Sequence, residues 1–505
     1  MLSPARAGDA PLTRAEPPSR VTSIPTDIWW LAGLVLVGAA LRFATISSQS
    51  FWFDEAQAVH EMRLSFAGLI DFLTAHETNP PLYFVLGWLW TKVFGDGQAG
   101  LRALSALAGT AVIPITYLCG RELVSRRAGL MAAALATISP FMIWYSQEAR
   151  EYMLLAALTG ASLFWFSRAL RTRSSSDLAW WAAFSALAVL THSFAGFLVA
   201  PEGLWLLCVA RNRASLFAAA AVAAVQLALL PFLFTNATHS LLGFIKATSL
   251  TMRIQQVPVG FGLGTLYQSS LVNYGLLGAA LLAAALILLI VVGTDGPQLR
   301  GAGIAAALAA LVLLVPLVLA LLGEDYYIVR ALIPAWIPLA VVIGAACTAP
   351  RARVPGAALA VILLAACVYA QIRIQSDQRY QRPDWRGVAA ALGRPTASRA
   401  VVVYDGLGTD PLATYLPGVP WTEPSAAVSV SEVDVVGSTW QRSGTRLPAG
   451  ARLIGSRVVD GFLVDRFATD PAWITTPSAI ALRAASELLG PAPPDAAVLV
   501  QSAQP

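Results

Sequence analysis

Long apolar runs alternate with short polar spacers along most of the chain, from Asp27 to about Gln371. An α-helix needs about 20 apolar residues to cross a bilayer, with a usual range of about 17–25. The pattern therefore predicts an α-helical membrane protein with many spans. The apolar segments are 28–46, 80–95, 100–119, 128–143, 149–169, 178–192, 194–210, 214–234, 271–293, 302–322, 328–347 and 353–370.

Basic spacers orient these segments, because Lys and Arg concentrate in the cytoplasmic loops of membrane proteins. The basic N-terminal tail and four basic spacers are placed in the cytoplasm. From Ala128 onward, successive segments then cross the membrane in alternating directions, and no basic spacer falls on the outer side. Upstream, 80–95 and 100–119 must together make one crossing, so the shorter is predicted to be a partial or surface-lying helix. The pattern thus predicts about eleven crossings, with a range of about 11–13. The basic spacers are 121–127, 168–173, 211–213 and 351–353.

Three regions follow from this pattern. Residues 1–26 are rich in Pro, Ala and Arg without an apolar core, so they are predicted to form a disordered cytoplasmic tail. Residues 27–371 form the predicted membrane module, with an outer loop at 47–79. Residues 372–505 have an ordinary composition and are predicted to form a small α/β domain outside the membrane.

The C-terminal domain contains recognisable local signals. Residues 399–404 have the β-branched composition of a strand, and Asp460-Gly461 is typical of a hairpin turn between two further strands. The segments 384–392 and 478–489 are predicted to be helices.

Composition supports a membrane protein and excludes other classes. Charged residues make up 12% of the chain, whereas soluble domains average about 25%. The net charge of +5 comes largely from arginines in short loops, which encode topology and do not indicate nucleic acid binding. The sequence has no Walker phosphate-binding loop, no His-Glu-x-x-His motif and no Gly-x-Ser-x-Gly motif, so ATP-driven transport and soluble-type hydrolysis gain no support.

An acidic pair, Asp54 and Glu55, follows the aromatic run Phe51-Trp52-Phe53 just after the first segment. Aromatic residues favour the membrane interface, so the carboxylates are predicted to lie at headgroup depth. A carboxylate there can accept a proton from a hydroxyl nucleophile. The alternative is a helix N-terminus, where the helix dipole favours acidic residues.

Four other polar residues fall at the same predicted side of the membrane. Glu148 and Arg150 offer a second acid and an arginine suited to phosphate, or simply a solvated connector with an ion pair. His192 lies at the turn between two short segments, as a functional residue or a hydrogen-bonded structural one. Arg330 lies about one turn inside a segment, where a charge must be paired, functional or able to snorkel to the interface.

Four motifs occur in an order that resembles a known family. Over roughly residues 28–390 the chain resembles the polytopic GT-C glycosyltransferases related to dolichyl-phosphate-mannose protein mannosyltransferases and lipid A aminoarabinose transferases. Many members of that family have His where this chain has Asn79. The motifs are the acidic pair, Asn-Pro-Pro-Leu-Tyr at 79–83, Ser-x-Glu-Ala-Arg-x-Tyr-x-Leu at 146–154 and Tyr-Tyr-x-x-Arg-x-x-x-Pro at 326–334.

The resemblance implies a polyprenyl-phosphate-linked sugar donor and transfer on the outer face of the membrane. It implies that Asp54 is the catalytic base or a carboxylate that binds the acceptor, with the base as the leading assignment, and it makes Arg150 and Arg330 candidates for the lipid phosphate. Some family members use a divalent metal and others do not, so no cofactor is assigned and a metal ion remains an open question. The substrate-binding candidates are Glu55, Glu148, Arg150, His192, Tyr327 and Arg330.

The leading hypothesis is a glycosyltransferase of a bacterial-type inner membrane that transfers a sugar to a hydroxyl of a cell-envelope glycan, lipid or protein. Its expected partners are the lipid-linked donor, that acceptor and membrane lipids, without nucleic acid. The alternative is a transporter or lipid flippase, which predicts polar residues near the bilayer midplane and repeated halves. In this sequence the polar residues gather at one face and no repeat is seen.

Overall fold

The chain forms a helical bundle up to Ser376 and an α/β domain after it. This arrangement confirms the predicted fold class. The predicted tail lies almost wholly outside the described residues, as does the end of the predicted helix 478–489. The computed structural model describes residues 26–77, 79–230, 243–404, 408–419, 426–438, 450–484 and 497–502.

The helices of the bundle follow the apolar segments. Short 3-10 turns at Ser193–Ala195, Ser270–Tyr274 and Val329–Ala335 precede the helices that begin at Gly196, Gly275 and Trp336. The helices are α1 (Thr26–Phe43), α2 (Phe53–Arg63), α3 (Phe66–His76), α4 (Leu82–Phe94), α5 (Gln98–Leu123), α6 (Arg126–Ile138), α7 (Pro140–Ser146), α8 (Tyr152–Thr172), α9 (Ser175–Thr191), α10 (Gly196–Ala210), α11 (Arg213–Ala228), α12 (Gly243–Ala247), α13 (Leu250–Leu263), α14 (Gly275–Gly293), α15 (Gly296–Leu321), α16 (Trp336–Cys347) and α17 (Arg353–Ser376).

Among the described residues, eight helices are long and apolar enough to cross a membrane, or nine if α6 and α7 form one span bent by 57°. The helices α9 and α11, with 17 and 16 residues, fall just short of that length. Helix α4 has 13 residues and is about 20 Å long, less than the roughly 30 Å hydrocarbon core. That length suits the partial helix predicted at 80–95, and the count of about eleven crossings stays a prediction.

The break between α6 and α7 is stabilised by Arg42 of α1. Pro140 has no N–H, so the carbonyl of Ala136, four residues earlier, lacks its usual helical donor. Arg42 Nη2 donates to that carbonyl at 2.8 Å, and Nη1 donates to the Thr137 carbonyl at 3.2 Å. Its Nε donates to Ser146 Oγ at 3.0 Å. These hydrogen bonds to the broken helix explain why a charged side chain, Arg42, is buried within an apolar segment.

Five strands form one sheet in the C-terminal domain, in the order β3-β4-β2-β1-β5. Strands β1 and β2 are parallel and the other neighbours are antiparallel. Helices α18 (Trp385–Leu392) and α19 (Thr409–Tyr415) cover one face and α20 (Pro477–Ala484) covers the other. The strands are β1 (Arg399–Val403), β2 (Val428–Ser438), β3 (Ala451–Val459), β4 (Phe462–Thr475) and β5 (Ala497–Gln501).

The local predictions for this domain agree with these elements. Strand β1 and helix α18 match the predicted 399–404 and 384–392 to within one residue. Asp460 and Gly461 join β3 to β4, with φ angles of 48° and 81° that glycine and, less readily, aspartate adopt.

The C-terminal domain docks on the loop that follows α1. The Tyr415 hydroxyl accepts hydrogen bonds from the Phe51 backbone N–H and from Gln98 Nε2, each at 2.7 Å. Ser50 Oγ donates to Asp384 Oδ1 at 2.8 Å. Because this loop leads directly into α2, the domain makes contact next to the acidic pair.

We expect Arg42→Leu to destabilise the bundle by about 2–4 kcal/mol, because at least two buried carbonyls lose their donor. Thermal unfolding in detergent measures the effect as a lower Tm. The matched control is Arg300→Leu, an exposed arginine near the start of α15, which should leave the Tm near that of wild type. Equal melting temperatures for the two variants would contradict the role assigned to Arg42.

Candidate active site

A cavity of about 370 Å³ lies where the loops after α1, α7 and α17 meet. Its wall includes Glu148, Arg330 and Arg382, together with the indoles of Trp52 and Trp144. Charged groups of both signs and two aromatic faces thus surround a space large enough for a small polar ligand.

The predicted base, Asp54, lies beside this cavity. It is in the first turn of α2, where the helix dipole favours a carboxylate. Its Oδ2 is 3.0 Å from Arg330 Nη1. The Arg330 guanidinium also lies 5.4 Å from the centre of the Trp52 ring and 5.7 Å from that of Tyr152, within cation–π range. The structure therefore brings two predicted residues, a carboxylate and an arginine, into direct contact.

Glu148 pairs with an arginine from the other end of the chain. Its Oε2 accepts a hydrogen bond from Arg382 Nη2 at 3.0 Å, while Oε1 has no hydrogen-bond partner among the described residues. Burial raises the pKa of Glu148 to about 7 against the opposing charge of Arg382. The carboxyl at the cavity wall can therefore change protonation near neutral pH.

Glu55 does not line the cavity and is fully buried. Arg102 Nε and Nη2 each donate to its carboxylate at 2.6 Å, and the Ala149 backbone N–H donates at 2.9 Å. The same guanidinium donates to the carbonyls of Gln49 and Ser50. These contacts hold two loops in place, and the predicted binding of substrate by Glu55 stays a prediction.

The architecture has known counterparts. ArnT from Cupriavidus metallidurans in the apo state aligns with a TM-score of 0.55 and 13% identity, over 88% of this chain and 98% of ArnT. ArnT bound to undecaprenyl phosphate gives a TM-score of 0.52 and 13% identity, over 87% and 98% of the two chains. The chain has a GT-C fold.

The sequence comparisons cover less of the chain. The family model described as dolichyl-phosphate-mannose-protein mannosyltransferase matches residues 78–235, and no curated protein sequence matches the chain. That segment includes Glu148, Arg150 and His192 but neither Asp54 nor Arg330. The GT-C resemblance seen in the motifs is confirmed, while the pairing of Asp54 with Arg330 rests on the geometry of this structure.

Arg150 and His192 lie behind the cavity wall. Arg150 Nε is 3.0 Å from Glu151 Oε2, and Nη1 is 3.6 Å from Glu77 Oε2, so acidic neighbours already balance its charge. Burial and the charges of Arg150 and Arg330 lower the pKa of His192 to about 3, and its Nδ1 accepts the Phe194 backbone N–H at 3.1 Å. His192 is therefore a neutral imidazole that caps the turn before α10.

Tyr327 belongs to the same motif as Arg330 and is buried, but it does not line the cavity. Arg253 Nη1 donates to its backbone carbonyl at 2.7 Å and to Asp325 Oδ1 at 2.7 Å. The Arg253 to Asp325 pair thus fixes the backbone that leads to Arg330. The backbone of Tyr327 therefore helps to hold the segment that leads to Arg330.

Arg102 and Arg382 were not predicted from the sequence as residues of the site. Arg102 lies within an apolar segment, where a charge signals a partner or a function, so its position was the available signal. Arg382 follows the last span and gave no comparable signal. Its partners Glu148 and Gln49 are distant in sequence, and only the fold brings them together.

We expect pH to affect wild type and Glu148→Gln differently. Folding raises the pKa of Glu148 from 4.5 to about 7. Between these two pH values the folded protein keeps a proton on Glu148, whereas the unfolded chain has released it. The free energy of unfolding of the wild type therefore falls as the pH rises from 4.5 to about 7. The Glu148→Gln variant has no carboxyl at this position and should not show this fall. Thermal unfolding in detergent at about pH 5 and about pH 8 measures the difference.

The control for this experiment is Glu324→Gln, an exposed carboxylate outside the site, which should follow wild type at both pH values. If the Tm of Glu148→Gln changes with pH as much as that of wild type, the buried carboxyl is not the group that titrates.

Proposed function

We propose that the chain is a glycosyltransferase that moves a sugar from a polyprenyl-phosphate-linked donor to a hydroxyl of a cell-envelope glycan, lipid or protein. The observation that carries the proposal is the contact of Asp54 with Arg330 beside the cavity of a GT-C fold. The description of the matching family and the undecaprenyl phosphate bound to ArnT support a lipid-linked donor.

The proposed chemistry moves negative charge over a short distance. The acceptor oxygen attacks the anomeric carbon and forms the new glycosidic bond, Asp54 takes the hydroxyl proton, and the bond from the anomeric carbon to the phosphate oxygen breaks. Asp54 thereby loses its charge as the leaving polyprenyl phosphate gains one. Arg330 touches Asp54 and lines the cavity, so the same guanidinium balances the charge before and after transfer.

The described side chains do not favour a metal in this mechanism. Asp54 faces Arg330 and Glu148 faces Arg382, so each carboxylate has a guanidinium partner. Within the described ranges, no group of three His, Cys, Asp or Glu side chains has the spacing to hold a metal ion. No step is therefore assigned to a metal, and the arginines supply the positive charge.

The basic spacers support a cytoplasmic N-terminus and a C-terminal domain on the outer side of the membrane, which we propose to be an inner membrane. On that assignment, transfer occurs at the outer face, because Asp54 and Glu148 follow spans that end there. A lipid-linked donor suits this side, since no nucleotide sugar has to be present. The sugar is a hexose or a pentose.

We expect Asp54→Asn to reduce transfer by a factor of about 10² to 10⁴, the usual contribution of a general base. The assay uses the purified protein in nanodiscs, a panel of polyprenyl-phosphate sugars and cell-envelope fractions as acceptors. Asp71→Asn is the matched control, because Asp71 is an exposed aspartate on the neighbouring helix α3. Undiminished transfer by Asp54→Asn would exclude it as the base.

The same preparation separates the proposal from the transporter alternative. A flippase would move a polyprenyl-phosphate sugar between the leaflets of a liposome without releasing polyprenyl phosphate. The glycosyltransferase releases polyprenyl phosphate in proportion to glycosylated acceptor. Movement without release, for every donor in the panel, would overturn the proposed function.

A further inference from the structure

Arg382 belongs to the segment that joins the last span to the C-terminal domain, between the end of α17 and the start of α18. Although it follows an exposed stretch, it is only 4% exposed and lines the cavity. An arginine is rarely buried without a partner or a ligand. The buried position of Arg382 at the cavity therefore indicates a role other than joining the two domains.

The contacts of Arg382 hold its guanidinium in a fixed position. Its Nη2 donates to Glu148 Oε2 at 3.0 Å, and the guanidinium lies 4.1 Å from the centre of the Trp144 ring. Its backbone N–H donates to Gln49 Oε1 at 3.0 Å. The Nε atom is 3.6 Å from Glu55 Oε2 and makes no hydrogen bond to the described residues. Arg382 lines the cavity, and among the described residues only the Nη2 of its guanidinium donates to another side chain, so donor capacity remains on the guanidinium.

The surroundings of Arg382 repeat those of Arg330. Each guanidinium is 3.0 Å from one carboxylate, Glu148 or Asp54, and each lies over one tryptophan that lines the cavity. Three arginines line the cavity, and Arg253 among them is bound to Asp325. The guanidinium groups of Arg330 and Arg382 provide two separate donor sets for an anion with several oxygens, such as a phosphate.

Residues at the start of the C-terminal domain attach the segment that contains Arg382 to the loop after α1. Arg386, four residues later, donates to the Ser48 carbonyl at 2.9 Å and to Gln98 Oε1 at 3.0 Å. Asp384 accepts a hydrogen bond from Ser50 at 2.8 Å. The segment around Arg382 is thereby attached to the loop after α1, which leads to Asp54.

We propose that Arg382 binds the donor phosphate together with Arg330, so that the C-terminal domain completes the donor site. The inference rests on the proposed function for the identity of the donor. A phosphodiester has two free oxygens, one for each guanidinium, and the leaving phosphate gains a further negative charge there. Glu148 then holds Arg382 in place until the phosphate arrives.

Binding of undecaprenyl phosphate to the whole protein in nanodiscs tests the inference without requiring transfer. We expect Arg382→Gln to weaken binding about tenfold to a hundredfold, the effect of losing a charge-assisted hydrogen bond. Arg382→Lys should recover part of that loss, because it keeps the charge but not the planar fork. The matched control is Arg379→Gln, an arginine of the same segment whose side chain is 77% exposed, which should bind like wild type.

Glu148→Gln separates binding from a merely structural role. If Arg382 only neutralises Glu148, then Glu148→Gln and Arg382→Gln break the same pair and should weaken binding alike. If Arg382 binds phosphate, Glu148→Gln removes a competitor and binding is kept or strengthened. The double variant Glu148→Gln with Arg382→Gln buries no unpaired charge, so it checks that lost binding does not come from misfolding.

Transfer kinetics complete the test. Arg382→Gln should raise the KM for the lipid-linked donor and leave the KM for the acceptor unchanged. Normal donor binding and normal donor KM in Arg382→Gln would overturn the inference while leaving the proposed function intact. Conversely, phosphate binding that depends on Arg382 in a protein without transfer would overturn the proposed function and keep the anion site.

Discussion

One buried ion pair, Arg102 with Glu55, holds the loops on which the site depends. Neither side chain is exposed, and removing one partner of such a pair costs about 3–5 kcal/mol because the other charge stays buried. Arg102 also binds the carbonyls of the loop after α1, and Glu55 binds the backbone of Ala149. The same ion pair therefore positions the start of α2, which contains Asp54, and the loop that contains Glu148.

The membrane character and the gathering of the acids at one side were predictable because they depend on local signals. Apolar length and the charge of short loops are properties of neighbouring residues, and both follow from the bilayer as a solvent. Successive spans alternate in direction, so Asp54, Glu148, His192 and Arg330 were expected at one side. The structure gathers these four residues around one cavity or directly behind its wall.

The division of roles within the acidic pair was not predictable. Neighbouring residues on a helix point about 100° apart, because a turn has about 3.6 residues. Asp54 therefore faces Arg330 while Glu55 faces Arg102, and the sequence does not say which direction leads to the cavity. Arg382 escaped prediction for a related reason, since its partner Glu148 is 234 residues away and no local preference encodes that contact.

The docking of the C-terminal domain on the first loop also sets when the site can form. Phe51 and Tyr415, which are hydrogen bonded, lie 364 residues apart, and Gln49 and Arg382 lie 333 apart. During synthesis the early partners are made long before the late ones. The cavity wall is therefore incomplete on any nascent chain that ends before Arg382, because Arg382 lines the cavity.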